Sequence, residues 1–179
     1  MKNTRTWHSP LGWTRIVAGR EGIRRVEFHP KKEELVGTSQ SDSCAPSKDA
    51  RQLLQEAARQ IDAYLAGRAR AFDLPLEFAG LSAFSRRVLL ALAKIPYGTT
   101  VSYGELSRMA GSAGAARAVG RVMAANPLPI IVPCHRVIPS SGGIGGYSGG
   151  EGSLSKCWLL ELEGSVAAGF SGKADSAYR

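Results

Sequence analysis

The sequence predicts an α/β (α+β) protein of two domains, a small N-terminal unit of a β-hairpin and a helix, and a mainly helical C-terminal unit. Two observations lead to this fold class. Strand-like apolar segments occupy the first thirty residues, and helix-length apolar repeats separated by Gly and Pro follow after residue 50. With 179 residues and 44% hydrophobic content, the chain is long enough for two small cores.

The predicted N-terminal domain covers residues 1–75. Residues 11–18 and 22–28 are strand-like and flank a glycine turn, which is the pattern of a hairpin. Apolar residues at helical spacing predict a helix over 51–66 that packs on the hairpin. The polar residues 31–48 are expected to form a loop, and residues 76–81 a linker into the second domain.

The predicted C-terminal domain covers residues 82–164 and begins with a helix capped by Ser82. Ser102, with Glu105 three residues later, has the form of a capping box and opens a short helix. A second short helix over 114–125 stops before a proline, because the residue preceding proline disfavours helical geometry. Two short helices joined by a Gly/Ser turn predict a helix-turn-helix.

The end of this domain carries an apolar run and a glycine-rich loop. Residues 128–132 are strand-like and lead directly into Pro133-Cys134-His135-Arg136. Glycine is so dense over 140–152 that the backbone there must turn tightly or closely approach another group. Helical spacing resumes over 153–162, and the small, polar residues 165–179 are expected to form a flexible tail.

The positive charge of the chain is unevenly placed. The formal net charge is +8, yet residues 106–150 contain no carboxylate and carry the four arginines Arg108, Arg117, Arg121 and Arg136. A surface built from this segment attracts a polyanion without local repulsion. Charge alone is equally compatible with an alkaline protein that binds no nucleic acid.

Composition argues against several other classes of protein. There is no secretory leader and no membrane-spanning run, so a cytoplasmic protein that binds no membrane is expected. The three cysteines, Cys44, Cys134 and Cys157, are scattered, which favours neither a disulfide framework nor a zinc site. No nucleotide-binding glycine motif is present. We therefore predict no metal and no cofactor.

Cys134 is the candidate nucleophile. A thiol reacts as its thiolate, so a neighbouring base or cation must favour its ionisation. His135 and Arg136 follow it, but adjacent side chains of an extended segment point in opposite directions, so a contact requires a turn or a bridging water. For a cysteine considered alone, a buried structural role is the preferred interpretation.

The surroundings of Cys134 reverse that preference. Five further motifs accompany Pro133-Cys134-His135-Arg136-Val137 along the chain: Val101-Ser102-Tyr103, Ala115-Ala116-Arg117-Ala118-Val119-Gly120, Ala125-Asn126-Pro127, Gly145-Gly146-Tyr147-Ser148-Gly149-Gly150 and Trp158-Leu159-Leu160-Glu161-Leu162-Glu163-Gly164. With them, residues 82–164 strongly resemble the O6-alkylguanine-DNA alkyltransferases, also called methylated-DNA–protein-cysteine methyltransferases. The weaker N-terminal resemblance rests on Ser9-Pro10-Leu11-Gly12 and the hairpin. The resemblance over both segments implies a ribonuclease H-like domain followed by a domain with a winged-helix-like helix-turn-helix.

The resemblance implies a DNA repair protein that flips an O6-alkylguanine and transfers the alkyl group irreversibly to Cys134 in a single turnover. His135, acting through a water, would take the thiol proton, and Glu163 would orient the histidine. Asn126 would steady the turn that holds the cysteine. Glu161 is a rival for the place of Glu163, but it lies on another helix face and lacks the Glu-Gly ending of the family.

The resemblance also implies how DNA binds. Arg117 would replace the flipped nucleotide, with its helix in the minor groove of double-stranded DNA, and Tyr103 would protonate the departing guanine. The other predicted DNA-binding residues are Ala116, Ala118, Gly120, Arg121, Ser102 and Arg136. The predicted pocket residues are Met123, Pro129, Val137, Gly145, Tyr147 and Ser148.

Two other functions remain open from the sequence. A DNA-binding module without chemistry is one, and the intact pair of Cys134 and His135 argues against it. A cysteine hydrolase is the other, and it would have no need of Arg117 on a helix within an acid-free basic segment. The sequence leaves open whether O4-alkylthymine is repaired, and whether the protein, expected to be a monomer, clusters on DNA.

Overall fold

The computed structural model describes residues 3–32 and 49–165. The chain divides into two compact units, one of residues 1–79 with 149–151, the other of residues 80–148 with 152–179. Most of the predicted loop over 31–48 and of the predicted tail over 165–179 lies outside the described residues. No described helix has the length and apolar character needed to cross a membrane.

The N-terminal unit contains an antiparallel sheet of three strands in the order β1-β2-β3. Strand β1 covers Thr4–Ser9, β2 covers Gly12–Ala18 and β3 covers Ile23–His29. The predicted hairpin corresponds to β2 and β3. Strand β1 was missed because its side chains are polar and mostly exposed, so no apolar alternation marks it; its ladder with β2 defines it as a strand.

One helix, α1 (Ala50–Leu65), covers this sheet with an apolar face that includes Leu54 and Ile61. The start of the expected linker pairs with strand β3 through an isolated bridge. Leu76 forms a parallel bridge with Ile23, and the Glu77 amide donates to the Ile23 carbonyl at 2.9 Å. The amino-acid composition of this segment gives no signal for backbone pairing with a distant strand.

The C-terminal unit is mainly helical. Its helices are α2 (Ala83–Leu92), α3 (Tyr103–Met109), α4 (Ala116–Ala124) and α5 (Ser153–Leu162). Helices α2, α3 and α4 pack on one another, and α3 and α4 form the helix-turn-helix. The capping box is complete: Ser102 Oγ accepts from the Glu105 amide, and Glu105 Oε2 accepts from the Ser102 amide at 2.7 Å.

Two short parallel strands join distant parts of this unit. Strand β4 (Val101–Ser102) pairs with β5 (Val137–Ile138), which follows a 3-10 turn over Cys134–Arg136. Because Tyr103 directly follows β4, this pairing fixes the start of α3 beside the segment that follows Cys134. Residues more than thirty positions apart are thereby brought to one site.

The predicted strand over 128–132 is wrong, because these residues form turns. The amide of Asn126 bonds within the segment: Nδ2 donates to the Val132 carbonyl at 2.8 Å, and Oδ1 accepts from the Leu128 amide at 3.0 Å. Ile130 takes a φ of 71°, which is a strained conformation for a β-branched residue. Side-chain bonding to the local backbone thus overrides the strand propensity of the apolar run.

Candidate active site

Cys134 lies at a cavity of about 300 Å³ in the C-terminal unit. The cavity is lined by Tyr103, Gly120, Met123, Ala124, Cys134, Gly146, Tyr147 and Ser148. Only 5% of the Cys134 residue surface is exposed. A small electrophilic group therefore reaches the sulfur only by entering this cavity.

The environment of the Cys134 thiol acts in two directions on its ionisation. Burial is the larger influence and raises the pKa of Cys134. A hydrogen bond from the Asn126 side chain, the Lys156 ammonium, and the backbone amides of Cys134 and His135 favour the thiolate. These contacts offset only part of the effect of burial, so the thiol stays protonated until a base takes its proton.

His135 and Glu163 form a buried pair beside the cysteine. The distance from His135 Nε2 to Glu163 Oε1 is 2.7 Å, and both side chains have no exposed surface. Burial lowers the pKa of His135, Glu163 opposes this effect, and the cations of Arg136 and Lys156 add to it. A neutral imidazole that donates its Nε2 proton to Glu163 keeps Nδ1 as the basic nitrogen.

Arg136 corrects the sequence prediction most clearly, because it does not form part of a DNA-binding surface. Only 6% of the residue is exposed. Its Nε donates to both Glu163 oxygens, at 3.1 and 2.9 Å, its Nη2 donates to Oε1 at 2.9 Å, and its Nη1 donates to the Ile95 carbonyl at 2.6 Å. The guanidinium also lies over the Tyr97 ring at 5.9 Å. Its donors are thus directed into the protein.

Lys156 is a site residue that the sequence reasoning missed. The residue is fully buried, and its Nζ donates to the Val137 carbonyl at 2.6 Å and to the Gly146 carbonyl at 3.4 Å. Burial lowers its pKa to about 8, against a favourable influence of the two thiols Cys134 and Cys157. One signal was available: Lys156 lies three residues before the buried Leu159, on the core face of a helix.

Tyr103, the first residue of α3, also lines the cavity. Burial raises the pKa of the Tyr103 phenol, and the nearby Cys134 raises it further. The phenol therefore stays protonated at neutral pH and can donate a proton. Gly120 faces the tyrosine ring, since a Cβ built on it would lie 3.9 Å from Cε1, and a bulkier residue would narrow the cavity.

The remaining predicted DNA-binding residues lie along α4 or at the start of α3. Arg117 and Arg121 are exposed on α4, whereas Ala116, Ala118 and Gly120 are half-buried. Ser102 is also half-buried and has a structural role as the cap of α3. Helix α4 thus presents two exposed cationic side chains beside small, half-buried residues.

Three of the six predicted pocket residues line the cavity. Met123, Tyr147 and Ser148 line it, as do Ala124 and Gly146, which were not predicted. The other three predicted walls do not: Pro129 is buried in the turn after Asn126, Val137 is buried in β5, and Gly145 faces the Pro139 ring.

The arrangement contains the parts of a nucleophilic substitution. The Cys134 thiol and the Tyr103 phenol line one cavity, and the imidazole that follows the thiol in the chain is held by a buried carboxylate. Within residues 3–32 and 49–165, no group of three or more His, Cys, Asp or Glu side chains is arranged to hold a metal ion.

Comparison with known proteins gives matches over both units. Residues 4–78 match the family model described as 6-O-methylguanine DNA methyltransferase, ribonuclease-like domain, and residues 83–165 match that of the DNA binding domain of the same family. These matches confirm the predicted fold class, a ribonuclease-like domain followed by a DNA-binding domain.

Individual relatives agree with the family models. A methylated-DNA–protein-cysteine methyltransferase of Methanosarcina acetivorans is 39% identical over 159 residues, 89% of this chain and 96% of the relative. One of Mycobacterium leprae is 52% identical over 108 residues, 60% of this chain and 64% of the relative. The structure of Mycobacterium tuberculosis OGT in complex with DNA has a TM-score of 0.75 and 38% identity, and covers 93% of this chain and 96% of its own. The chain therefore belongs to the 6-O-methylguanine DNA methyltransferase family.

Proposed function

We propose that this protein repairs DNA by transferring an alkyl group from O6 of guanine to its own Cys134. The observation that carries this proposal is the position of Cys134 at a cavity that also contains Tyr103 and is flanked by the His135–Glu163 pair. The names of the relatives and the DNA complex of the Mycobacterium tuberculosis protein support the substrate class. The cavity volume of about 300 Å³ lies at the lower end of the range for small-ligand sites.

The chemistry follows from the groups present. His135 takes the Cys134 proton, through a water where the two do not touch, and the thiolate attacks the alkyl carbon. A sulfur–carbon bond forms as the carbon–O6 bond breaks, and the electron pair passes to guanine. Tyr103 donates its proton to N3 of guanine, which quenches the developing charge, and the tyrosinate regains a proton from the His135 imidazolium. The net products are intact guanine and an S-alkylcysteine.

The buried position of the sulfur requires the base to leave the helix. An alkylated O6 inside a stacked duplex cannot enter a cavity in which Cys134 is almost fully buried, so the nucleotide must be extruded. Arg117, exposed on α4, would fill the gap in the base stack. Contacts from small residues and arginine in the minor groove would bind any sequence, as a lesion-repair protein needs.

One transfer per molecule is expected, because no group in the site can hydrolyse a thioether. Incubation with a duplex that carries labelled O6-methylguanine should place one label per protein on the Cys134 peptide. Cys134→Ala should accept no label, whereas Cys157→Ala, the matched control, should accept one. Multiple turnovers, or label retained by Cys134→Ala, would refute the proposal and favour a hydrolytic reaction.

Two variants separate DNA handling from chemistry. Arg117→Ala should slow the repair of duplex DNA far more than the reaction with free O6-benzylguanine, because only the duplex requires extrusion. Tyr103→Phe should slow both reactions while DNA affinity stays near that of the wild type. Equal losses on both substrates for Arg117→Ala would remove its role in holding the flipped state, and unchanged rates for Tyr103→Phe would remove it from the mechanism.

The proposal includes the state and place in which the protein works. We expect a monomer that binds double-stranded DNA in the cytoplasm without a cofactor. Sedimentation with duplexes of increasing length would distinguish single binding from clustering on DNA. Parallel reactions with O4-alkylthymine would test whether that base is also repaired.

A further inference from the structure

We propose that Arg136 is a positioning residue that neutralises Glu163 and thereby keeps His135 an uncharged proton acceptor for Cys134. The inference deepens the proposed function and rests on it where the rate of alkyl transfer is the readout. The ionisation of Cys134 provides a readout that does not depend on that function.

The geometry of the Arg136–Glu163 contact is that of a fully formed ion pair. Three of its hydrogen bonds, between 2.9 and 3.1 Å, join the guanidinium to the two carboxylate oxygens. A fourth hydrogen bond comes from the Gly98 amide, which lies 2.9 Å from Oε2, and His135 Nε2 lies 2.7 Å from Oε1. An oxygen pair that accepts this many donors is ionised, so Glu163 carries a negative charge.

The charge of Glu163 needs a partner, because its side chain has no exposed surface. An unpaired buried carboxylate costs several kcal/mol, and the system would lower that cost by moving a proton onto the nearest base. That base is His135. With Arg136 present the pair is already neutral, and a proton on His135 would add an uncompensated buried positive charge.

The other charged groups around His135 act in the same direction as Arg136. Among the described residues, the groups whose charge acts on the imidazole are Glu163, Arg136 and Lys156. Glu163 favours the imidazolium, whereas Arg136 and Lys156 oppose it. Of the two cations, Arg136 is the one that contacts the carboxylate, so it decides whether Glu163 only orients a neutral His135 or also stabilises its imidazolium.

The fixed orientation of the carboxylate is the second consequence. The Nη1 bond to the Ile95 carbonyl at 2.6 Å and the position of the guanidinium over the Tyr97 ring fix the guanidinium against Glu163. Tyr97 is itself anchored, since its hydroxyl donates to the Leu162 carbonyl at 2.8 Å. The planar fork of arginine thus aligns Glu163 Oε1 with His135 Nε2, and the single ammonium of a lysine would not do so.

A purely structural role would predict a different outcome. If Arg136 only joined Ile95 to the end of α5, its loss would lower stability and the overall rate, without altering the pH at which the site becomes active. The coupled pair of Cys134 and His135 loses its first proton at an apparent pKa that depends on the surrounding charge. Removing a positive charge makes that proton harder to lose, so the acid limb of the reaction moves to higher pH.

The test is the pH dependence of Cys134 alkylation by iodoacetamide, measured by the mass of the Cys134 peptide in full-length protein. Arg136→Met should move the midpoint upward by about one pH unit or more. Arg136→Lys, which keeps the charge, should leave the midpoint near that of the wild type and lower only the plateau rate. The Cys157 peptide is the internal control, because burial and Glu161 raise the pKa of Cys157, Lys156 lowers it, and Arg136 does not contribute.

The proposal is overturned if Arg136→Met and Arg136→Lys share the wild-type midpoint. Where Arg136→Met does not fold, Glu163→Gln tests the same electrostatics with the opposite sign, and its midpoint should move downward. Nitrogen NMR of the wild-type protein is a further check, since His135 should be the neutral tautomer with its proton on Nε2 at pH 7. An imidazolium at that pH would overturn the proposal.

The two proposals fail in distinguishable ways. If labelled O6-methylguanine DNA leaves no label on Cys134 while the iodoacetamide midpoints move as expected, the proposed function fails and the role of Arg136 stands. If the label appears on Cys134 and the midpoints coincide, the function stands and Arg136 is only structural. In alkyl transfer to free O6-benzylguanine, the acid limb should follow the iodoacetamide midpoints.

Discussion

Replacing Lys156 with methionine removes a buried ammonium while preserving most of the length of the side chain. In the wild type the ammonium is fully buried, and it donates to the Val137 carbonyl at 2.6 Å. Burial lowers the pKa of Lys156 from 10.5 to about 8. Burying the charged ammonium therefore lowers the free energy of unfolding, and its hydrogen bond to the carbonyl offsets part of that desolvation cost.

The magnitude follows from the two pKa values. The gap between about 8 in the folded state and 10.5 in the unfolded state corresponds to roughly 3 kcal/mol, at about 1.4 kcal/mol per pH unit. Between these values the unfolded state binds more protons than the folded state, so stability rises with pH. The cost is fully present below pH 8 and is relieved as the pH rises from about 8 to 10.5.

Lys156→Met should therefore differ from the wild type in pH dependence more than in stability at pH 7. It removes the desolvation cost of roughly 3 kcal/mol but leaves the buried Val137 carbonyl without its donor, which costs about 1–3 kcal/mol. The two effects nearly cancel at pH 7. Above pH 8, where the wild type gains stability, the variant should become the less stable protein by up to about 3 kcal/mol.

Urea denaturation at pH values from 7 to 10.5 measures this difference. The free energy of unfolding of the variant is subtracted from that of the wild type at each pH, so that titrating groups distant from Lys156 cancel. Lys94→Met, at an exposed lysine, is the matched control and should give a difference that does not change with pH. A difference that stays constant for Lys156→Met would refute the assignment of a lowered pKa. The same variant should need a higher pH for Cys134 alkylation, because the thiolate loses a cation.

Three further changes test the local geometry. Gly145→Ala should impair alkyl transfer, because φ is +73° and an added Cβ would lie 3.0 Å from the Pro139 ring; Gly143→Ala, with no neighbour within 4 Å, is the control and should react normally. Asn126→Ala should lower the free energy of unfolding by about 2 kcal/mol, because a buried carbonyl and a buried amide lose their partners; a loss below about 0.5 kcal/mol in urea would contradict its role in the turn. Ser102→Ala should cost about 1 kcal/mol through loss of the capping box, and an unchanged thermal midpoint would contradict that role.

Elements defined by local chemistry were predictable from the sequence. The cap at Ser82, the capping box at Ser102 and the helix of residues 153–162 depend on residues a few positions apart, and the structure has them at those places. Strand β1 and the pairing of Leu76 were not predictable, because backbone ladders with distant segments create them.

The turn over residues 128–132 shows why an apolar run can mislead. Its residues favour a strand, and they are buried as a strand would be. The side chain of Asn126, however, satisfies backbone groups on both sides of the turn, and Ile130 accepts a strained φ as a consequence. A single polar residue therefore decided the conformation, through contacts that a propensity argument does not weigh.

The sequence alone determined which residues could do chemistry: a cysteine, a histidine and a tyrosine within motifs that resemble one family, and a segment without carboxylates beside them. The tertiary structure alone decided how these residues are used. Arg136 and Lys156 have the same formal charge as the exposed arginines of α4, yet burial against Glu163 and the Val137 carbonyl makes them parts of the reactive site. Charge is a property of the residue, whereas its effect depends on solvent exposure and on neighbours that only folding supplies.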